Sequence, residues 1–447
     1  MNIFLILLAR LISAISRYFN VGSGSTWPGH VALSLNKDFI KEIIKANPQL
    51  KIILIAGTNG KTTTGKLIQT ILEKSRKKVF QNQAGANLLN GIASSMLLRS
   101  SILSTINYDY AIFEVDEATL PLTLKEIKPD YLIILNLFRD QLDRYGEVNT
   151  IVLKWRDAFR KLNKKTTLIL NADDPQIAYF GRISLGVVSR TPLGWNRSDT
   201  SVFYFGLEDK NFATTNLQHA SDSTYCSNCG TKLNYSITYY SHLGIWKCLK
   251  CKNTRPKLDA SSSPVYPLPG IYNRYNTIAA VSLSRQLNIS DRVIVSALRK
   301  FKPAFGRQET LNINGKKVQI FLSKNPTSFN ESLRTISNLK AKNLLIVLND
   351  RIPDGRDVSW IWDVDFENYI DKFKNIVISG DRAYDMGLRI KYTQPTIDSS
   401  PFALKEDLRR AIYLSLDKTP KSDTLYILPT YSAMLEVRKI LTGKKIL

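Results

Sequence analysis

The sequence predicts an α/β protein built on a doubly wound, mostly parallel sheet, and three observations carry that reading. The apolar run Lys51–Ala56 leads into a Gly-rich loop, and a helical pattern follows from Thr62 to Lys74. That is the order strand, loop, helix. Further apolar runs at Tyr110–Val115, Tyr131–Leu137 and Thr167–Leu170 alternate with helical stretches, which favours parallel strands joined by crossover helices. A second alternation, with strand candidates at Val318–Leu322, Leu344–Leu348, Ile376–Ile378 and Leu425–Leu428, predicts a C-terminal α/β domain of Rossmann-like type. In such sheets a ligand sits at the carboxyl ends of the strands, where the polar clusters of the first domain lie.

The elements divide the chain as follows. Residues 1–50 are a helical segment that belongs to the central domain, which runs over 51–303. The pattern degrades between about Arg190 and Val265, and an inserted module is expected at about 221–256. Helical signal returns in Tyr272–Leu287 and Ile289–Phe301, and the C-terminal domain occupies 304–447. At the N-terminus the run Ile3–Ile15 is interrupted by Arg10. It reads as a helix packed on its own domain, as a helix lying on the inner membrane surface, or as a cleaved signal.

Composition narrows the function classes. The chain has 447 residues with 44% hydrophobic and 22% charged residues, enough for a sizeable core. No apolar run reaches the roughly 18 residues a membrane span needs. The formal net charge is +24, which favours anionic partners: nucleic acid, an acidic membrane face or a phosphorylated substrate.

The loop Gly57-Thr58-Asn59-Gly60-Lys61-Thr62-Thr63 has the makings of a phosphate cradle. Its backbone N–H groups and the helix N-terminus behind it face phosphate oxygens. Lys61 supplies a point charge at the β/γ-phosphates, and Thr62 offers a hydroxyl to Mg²⁺. The spacing is a variant, because Ile55 stands where the general pattern has Gly. Mg²⁺ wants oxygen ligands, and Glu114 and Glu117 follow a strand at a suitable place.

The four cysteines, Cys226, Cys229, Cys248 and Cys251, are the whole cysteine complement. Two C-x2-C pairs separated by 18 residues are the spacing of a four-thiolate zinc ribbon. Four thiolates leave no open position, so a structural Zn²⁺ is expected. Two disulfides are the alternative, and they are disfavoured in a chain that uses cytosolic ATP.

GTNGKTT after a strand resembles the Mur ligase superfamily, which activates a carboxylate with ATP as an acyl phosphate for attack by an amine. The segments Asn136–Tyr145, Asn171–Pro175, Gly270–Asn276 and Phe305–Glu309 resemble its other motifs. The resemblance implies that Asn276 contacts adenine and that Arg307 reaches the phosphates. Many members carry His where this chain has Gln141, and Lys154 is a loosely aligned counterpart of the family's modified lysine. Typical members begin with a domain for a UDP-linked substrate. Only about 50 residues precede the loop here, so such a soluble substrate is disfavoured.

The ribbon, Ser323–Glu331 and Asp354–Asp363 (DGRDVSWIWD) together resemble the MurT branch, the synthetase subunits of lipid II isoglutaminyl synthase. That resemblance implies a cytoplasmic enzyme of peptidoglycan synthesis acting at the inner membrane face. It implies ATP and Mg²⁺, lipid II as substrate, and a heterodimer with a GatD-type glutamine amidotransferase. Lys61 and Glu114 then serve catalysis, and an Asp of the DGRDVSW segment completes the partner's Cys–His pair, Asp357 in preference to Asp354. The competing role for Asp357 is a helix cap. The residues agree on one point independently: a class I glutaminase needs a Cys nucleophile, and all four cysteines here have zinc spacing. Two rivals stay open, a folylpolyglutamate synthetase-like or other Mur-type ligase and a nucleic-acid-associated ATPase. Nucleic acid is not the expected partner.

Overall fold

The structure is a computed structural model that describes residues 2–18, 26–82, 85–140, 148–162, 165–184, 201–214, 217–393 and 402–443. Gln141 lies outside them.

The central domain carries a six-stranded sheet. Its strands are β1 (Lys51–Ala56), β2 (Val79–Gln81), β3 (Tyr110–Val115), β4 (Tyr131–Ile134), β5 (Thr167–Asn171) and β6 (Val202–Phe205). They lie in the order β2-β3-β1-β4-β5-β6, and every pairing is parallel. The run KIILIA is continuously apolar because both faces of β1 are covered. Ile52, Leu54 and Ala56 enter the core on one face, with Phe113 and Trp155. Ile53 and Ile55 enter the other, with Leu67, Ile68 and Ile71 of the helix Lys61–Lys74. Each fully buried Ile contributes about 1.5–3 kcal/mol. The chain builds β2 and β3 on one side of β1 and then crosses to β4 on the other. The crevice outside the end of β1 is therefore a topological switch point, where such sheets take their ligands.

Three helices, Asn2–Tyr18, Trp27–Leu35 and Phe39–Ala46, pack onto this domain. Leu5, Ile6 and Ala9 are buried in its core, and the Arg10 guanidinium donates to the Ser100 carbonyl at 2.7 Å. The outward stripe of the first helix is apolar: Ile3, Phe4, Leu7 and Leu11 are all exposed. Among the described residues no helix is long and apolar enough to cross a membrane.

The cysteine module contains a hairpin, β7 (Asn234–Tyr240) and β8 (Leu243–Lys247). It is bolted to the end of β5: Trp246 Nε1 donates to the Ala172 carbonyl at 3.0 Å, and Arg255 Nε to Asp173 at 2.6 Å.

The C-terminal domain has its own sheet, formed by β9 (Arg307–Ile313), β10 (Lys316–Phe321), β11 (Asn343–Val347), β12 (Asn375–Ser379), β13 (Ala403–Leu404) and β14 (Thr424–Pro429). The order is β13-β12-β11-β14-β10-β9, parallel except for the β9–β10 edge hairpin. Asn314 (φ 51°) and Gly315 (φ 76°) make its tight turn. Both residues take the left-handed conformation that a two-residue hairpin loop requires. An Asn-Gly pair was the available signal for β9, a strand the apolar-run reading passes over.

Candidate active site at the domain junction

The phosphate loop closes β1 and opens the helix Lys61–Lys74. Gly57 (φ 137°) and Gly60 (φ 92°) supply the two left-handed turns it needs, and a Cβ at Gly60 would collide with the Asn276 amide. The loop is held from outside by the segment after β4. Thr58 N–H donates to the Asn136 carbonyl at 3.0 Å, Asn59 N–H to Asn136 Oδ1 at 2.9 Å, and Asn136 Nδ2 returns a bond to the Asn59 carbonyl at 3.0 Å.

Lys61 Nζ donates to the Gly57 carbonyl, to Thr58 O at 3.2 Å and to Glu117 Oε2 at 3.2 Å. Thr62 Oγ1 donates to Glu114 Oε2 at 2.7 Å, and Arg307 Nη2 to Thr62 Oγ1 at 3.4 Å. Thr62 and Glu114 thus present two hard oxygen atoms side by side at the start of the helix, a donor pair that fits a Mg²⁺ beside bound phosphates. Glu117 is turned toward Lys61. Asp116, which the sequence did not single out, lines the cavity instead. Asn276 is buried against the loop and donates to Asn273 Oδ1 at 3.2 Å. Lys154 is exposed on the helix Val148–Arg160 and does not line the cavity.

Burial pushes the Glu114 carboxyl above its usual range, against the pull of Thr62, Arg307 and Lys61. Burial and the neighbouring Glu117 do the same to Asp116. Glu117 goes the other way: burial opposes ionisation, but Lys61 and Lys324 outweigh it. Glu114 and Asp116 face a cavity of about 400 Å³ between the two domains. Its far wall carries Arg307, Lys324, Ser328 and Glu331 from the C-terminal domain.

Lys324 pairs with Asp140 across the junction. Asn325 and Asn59 exchange amide bonds at 3.2 and 3.4 Å. Arg139 bridges three parts of the fold, donating to Asp222 of the cysteine module at 2.7 Å and to Asp363 at 2.8 Å. The module itself reaches the C-terminal domain through Gln218–Glu331 at 3.1 Å, His219–Asp365 at 2.6 Å and Tyr239 O–Arg334 at 2.7 Å. Burial pushes the Glu331 carboxyl up to about 7, with Asp365 adding to the shift. Sequence reasoning gave no role to Lys324, Arg139 or Glu331. Their partners lie on other elements, so no local pattern marks them.

The two aspartates of the DGRDVSW segment stand in different environments. Asp354 is buried and accepts from the Ser432 N–H at 2.9 Å and from the Ser432 hydroxyl. Asp357 is exposed and accepts from Ser359 N–H at 2.8 Å. Hydrogen bonds from the Ser359 side chain and backbone hold its carboxyl below the usual range, and the backbone bond steadies the entry to the short 3₁₀ turn Ser359–Asp363. The capping role is thereby met in modified form, through Oδ1, while the residue stays exposed at the surface.

The four cysteine sulfurs lie within 4.8 Å of one another. Two cross pairs, Cys226–Cys251 and Cys229–Cys248, stand at 3.6 and 3.5 Å, far beyond a disulfide bond. A tetrahedral zinc with Zn–S near 2.3 Å needs sulfurs roughly 3.8 Å apart. The donor set and its spacing fit that ion.

Comparison with known proteins places this geometry. Residues 55–284 match the Mur ligase middle domain, and residues 322–434 match the MurT ligase C-terminal family. The subunit MurT of lipid II isoglutaminyl synthase (glutamine-hydrolyzing) from Staphylococcus aureus strain COL is 32% identical, over 92% of this chain and 91% of the relative. The corresponding subunit of Streptococcus pneumoniae strain R6 is also 32% identical, over 95% and 94%. A pseudomurein peptide ligase type C from Methanothermus fervidus shares the fold at TM-score 0.64 and 22% identity, covering 90% of this chain and 81% of that one. MurF ligase from Thermotoga maritima in complex with ADP aligns at TM-score 0.60 and 15% identity, over 91% and 83%. With a phosphate-loop domain, a MurT-type C-terminal domain and near full-length kinship, the chain belongs to the MurT family of Mur-type ligases.

Proposed function

We propose that this protein amidates the D-glutamate α-carboxylate of the lipid II stem peptide to D-isoglutamine, with ATP as the activating substrate and ammonia delivered by a GatD-type glutaminase in a heterodimer. The carrying observation is the cavity at the domain junction, which puts the phosphate loop opposite Arg307 and Lys324. In the first step a carboxylate oxygen attacks the γ-phosphorus, the bond to the bridging oxygen breaks, and ADP leaves. Lys61, the loop N–H groups and Arg307 stabilise the charge on the transferring phosphoryl group. Mg²⁺, held by Thr62 and Glu114, would neutralise phosphate charge. In the second step the ammonia lone pair attacks the acyl carbon, phosphate departs, and the adduct loses a proton to give the amide.

All four cysteines sit in the metal-spaced cluster, so glutamine hydrolysis is assigned to the partner. Exposed Asp357 is the aspartate that can orient its histidine. Zn²⁺ in the four-thiolate site would tie the two C-x2-C turns of the module together, while Trp246 and Arg255 fix the module to the end of β5. The apolar outer stripe of the first helix, in a stretch of 37 residues with no Asp or Glu, supports action at the inner membrane face.

The test is mass spectrometry of lipid II incubated with ATP and Mg²⁺. A loss of about 1 Da is expected with ammonium and this chain alone, and with glutamine only when the partner is present. Absence of the shift with both nitrogen sources overturns the reading.

A further inference from the structure

We propose that the outer face of the first helix, together with the loop 101–105, is a docking surface for an anionic lipid bilayer. The surface stands on the geometry; its use, holding the site beside a lipid-linked substrate, rests on the amidation reading. The helix Asn2–Tyr18 is apolar on two sides. Leu5, Ile6 and Ala9 meet the domain core. Ile3, Phe4, Leu7 and Leu11 recur at helical spacing on the other side and are exposed, Phe4 at 63%. A helix with apolar residues on both sides is built to be covered on both, and here one side is open. Beside it the Arg10 guanidinium, bonded to the Ser100 carbonyl at 2.7 Å, sets the loop 101–105 against the helix. Leu103, 77% exposed, stands at the tip of that loop with exposed Ile102.

The loop is suited to an apolar layer. Leu103 N–H donates to Ser101 Oγ at 3.2 Å, Ser104 N–H to the Ser101 carbonyl at 3.0 Å, and Thr105 N–H to Ser101 Oγ at 3.2 Å. Donors satisfied within the turn lose nothing when water is left behind. Charge decides the kind of surface. The first 37 residues hold Arg10, Arg17 and Lys37 and no Asp or Glu, in a chain of net charge +24. Anionic headgroups attract such a segment, whereas a second copy would set two cationic segments face to face. Position agrees. The helix Trp27–Leu35 lies against the start of the helix Leu89–Arg99, with Gly29 N–H donating to Ser94 Oγ at 2.7 Å. Trp27 is exposed there, and indole rings favour the bilayer interface. Asn87 and Leu88, just before Leu89–Arg99, line the large cavity. Exposed apolar groups thus accompany that helix from its last turn, near Arg10, to its first, beside the cavity. Docking on this edge sets the site near the plane that holds a lipid-linked substrate.

The test is flotation of the full chain with vesicles of phosphatidylglycerol and phosphatidylcholine, and with vesicles of phosphatidylcholine alone. Binding to the anionic vesicles is expected to be about tenfold or more tighter and to weaken as salt is raised. Phe4→Glu/Leu7→Glu on the helix and Leu103→Glu on the loop change exposed positions. Each is expected to cut binding by about tenfold or more, while Leu339→Glu, at an exposed position of the C-terminal domain, binds as wild type. Ammonium-driven amidation of a tail-shortened, water-soluble lipid II analogue is expected at the wild-type rate in all three variants. Amidation of lipid II held in the anionic vesicles is expected to fall in step with binding. Wild-type chain that does not float with anionic vesicles, or helix and loop variants that both bind as wild type, overturn the docking surface. So does a concentration-dependent dimer that Phe4→Glu/Leu7→Glu abolishes, which assigns the face to a second copy. Wild-type chain that binds the vesicles but amidates neither substrate overturns the amidation reading and leaves the docking surface standing.

Discussion

The two domains both bring polar groups to the carboxyl ends of a six-stranded sheet, but they bring opposite charge. The phosphate-loop side offers Glu114, Asp116, Glu117 and Asp140 against a single Lys61. The C-terminal side answers with Arg307 and Lys324. Burial pushes three of those four acids upward, with Glu117 adding to the shift at Asp116 and Asp140, while Lys61 and cations from across the junction oppose it. At Glu117 the opposing charges of Lys61 and Lys324 win. The charge balance of the site therefore draws on both domains. Asp357 of the C-terminal domain, by contrast, stays exposed at the surface.

Breaking that outward acid is the largest expected effect. Asp357→Asn should reduce glutamine-dependent amidation by up to about 10⁴-fold, as loss of an imidazole-orienting carboxylate does, and spare the ammonium-driven rate. Equal loss in both assays would place Asp357 inside the synthetase site. Next comes the acid side's own cation. Lys61→Met should cost about 10²–10³-fold in ATP-dependent amidation with either nitrogen source, checked by ADP release.

The third change sharpens the comparison through pH. The Glu331 carboxyl is held at about 7 in the fold against 4.5 unfolded. Between those values the unfolded chain has lost its proton and the folded chain has kept it. Stability should therefore fall as pH rises from about 4.5 to 7, by up to roughly 3 kcal/mol. Glu331→Gln should flatten that decline in denaturant titrations at pH 5 and pH 8; an unaltered slope would assign the decline elsewhere. The smallest effect on chemistry is expected from the cysteine module. Cys248→Ser should remove one Zn²⁺ per chain by elemental analysis and lower Tm, with a lesser loss of ammonium-driven rate through the weakened contacts to Arg334 and Glu331. A variant that retains both metal and Tm would deny the ion its structural role.

Much of this was legible in the residues. GTNGKTT, flanked by an apolar run and a helical pattern, determined the loop, because its conformation is set by neighbours in the chain and by glycines at fixed offsets. The cysteine spacing likewise marked the cluster, since thiolates at C-x2-C fall on one tight turn. Strands β1, β3, β4, β5, β10, β11, β12 and β14 were visible as buried runs. The edge strands β2, β6, β9 and β13 were not, because an edge buries too little for an apolar pattern.

What the sequence by itself determined is therefore local: the phosphate loop, the four-cysteine cluster, the two α/β units and the family they resemble. The tertiary structure alone decided which of two nearby aspartates is spent on Ser432 and which reaches solvent. It also decided that Arg139 ties three parts together and that Lys324 stands against Asp140, 184 positions away. The physical reason is that burial and charge pairing depend on groups brought together by folding, and no spacing along the chain records them.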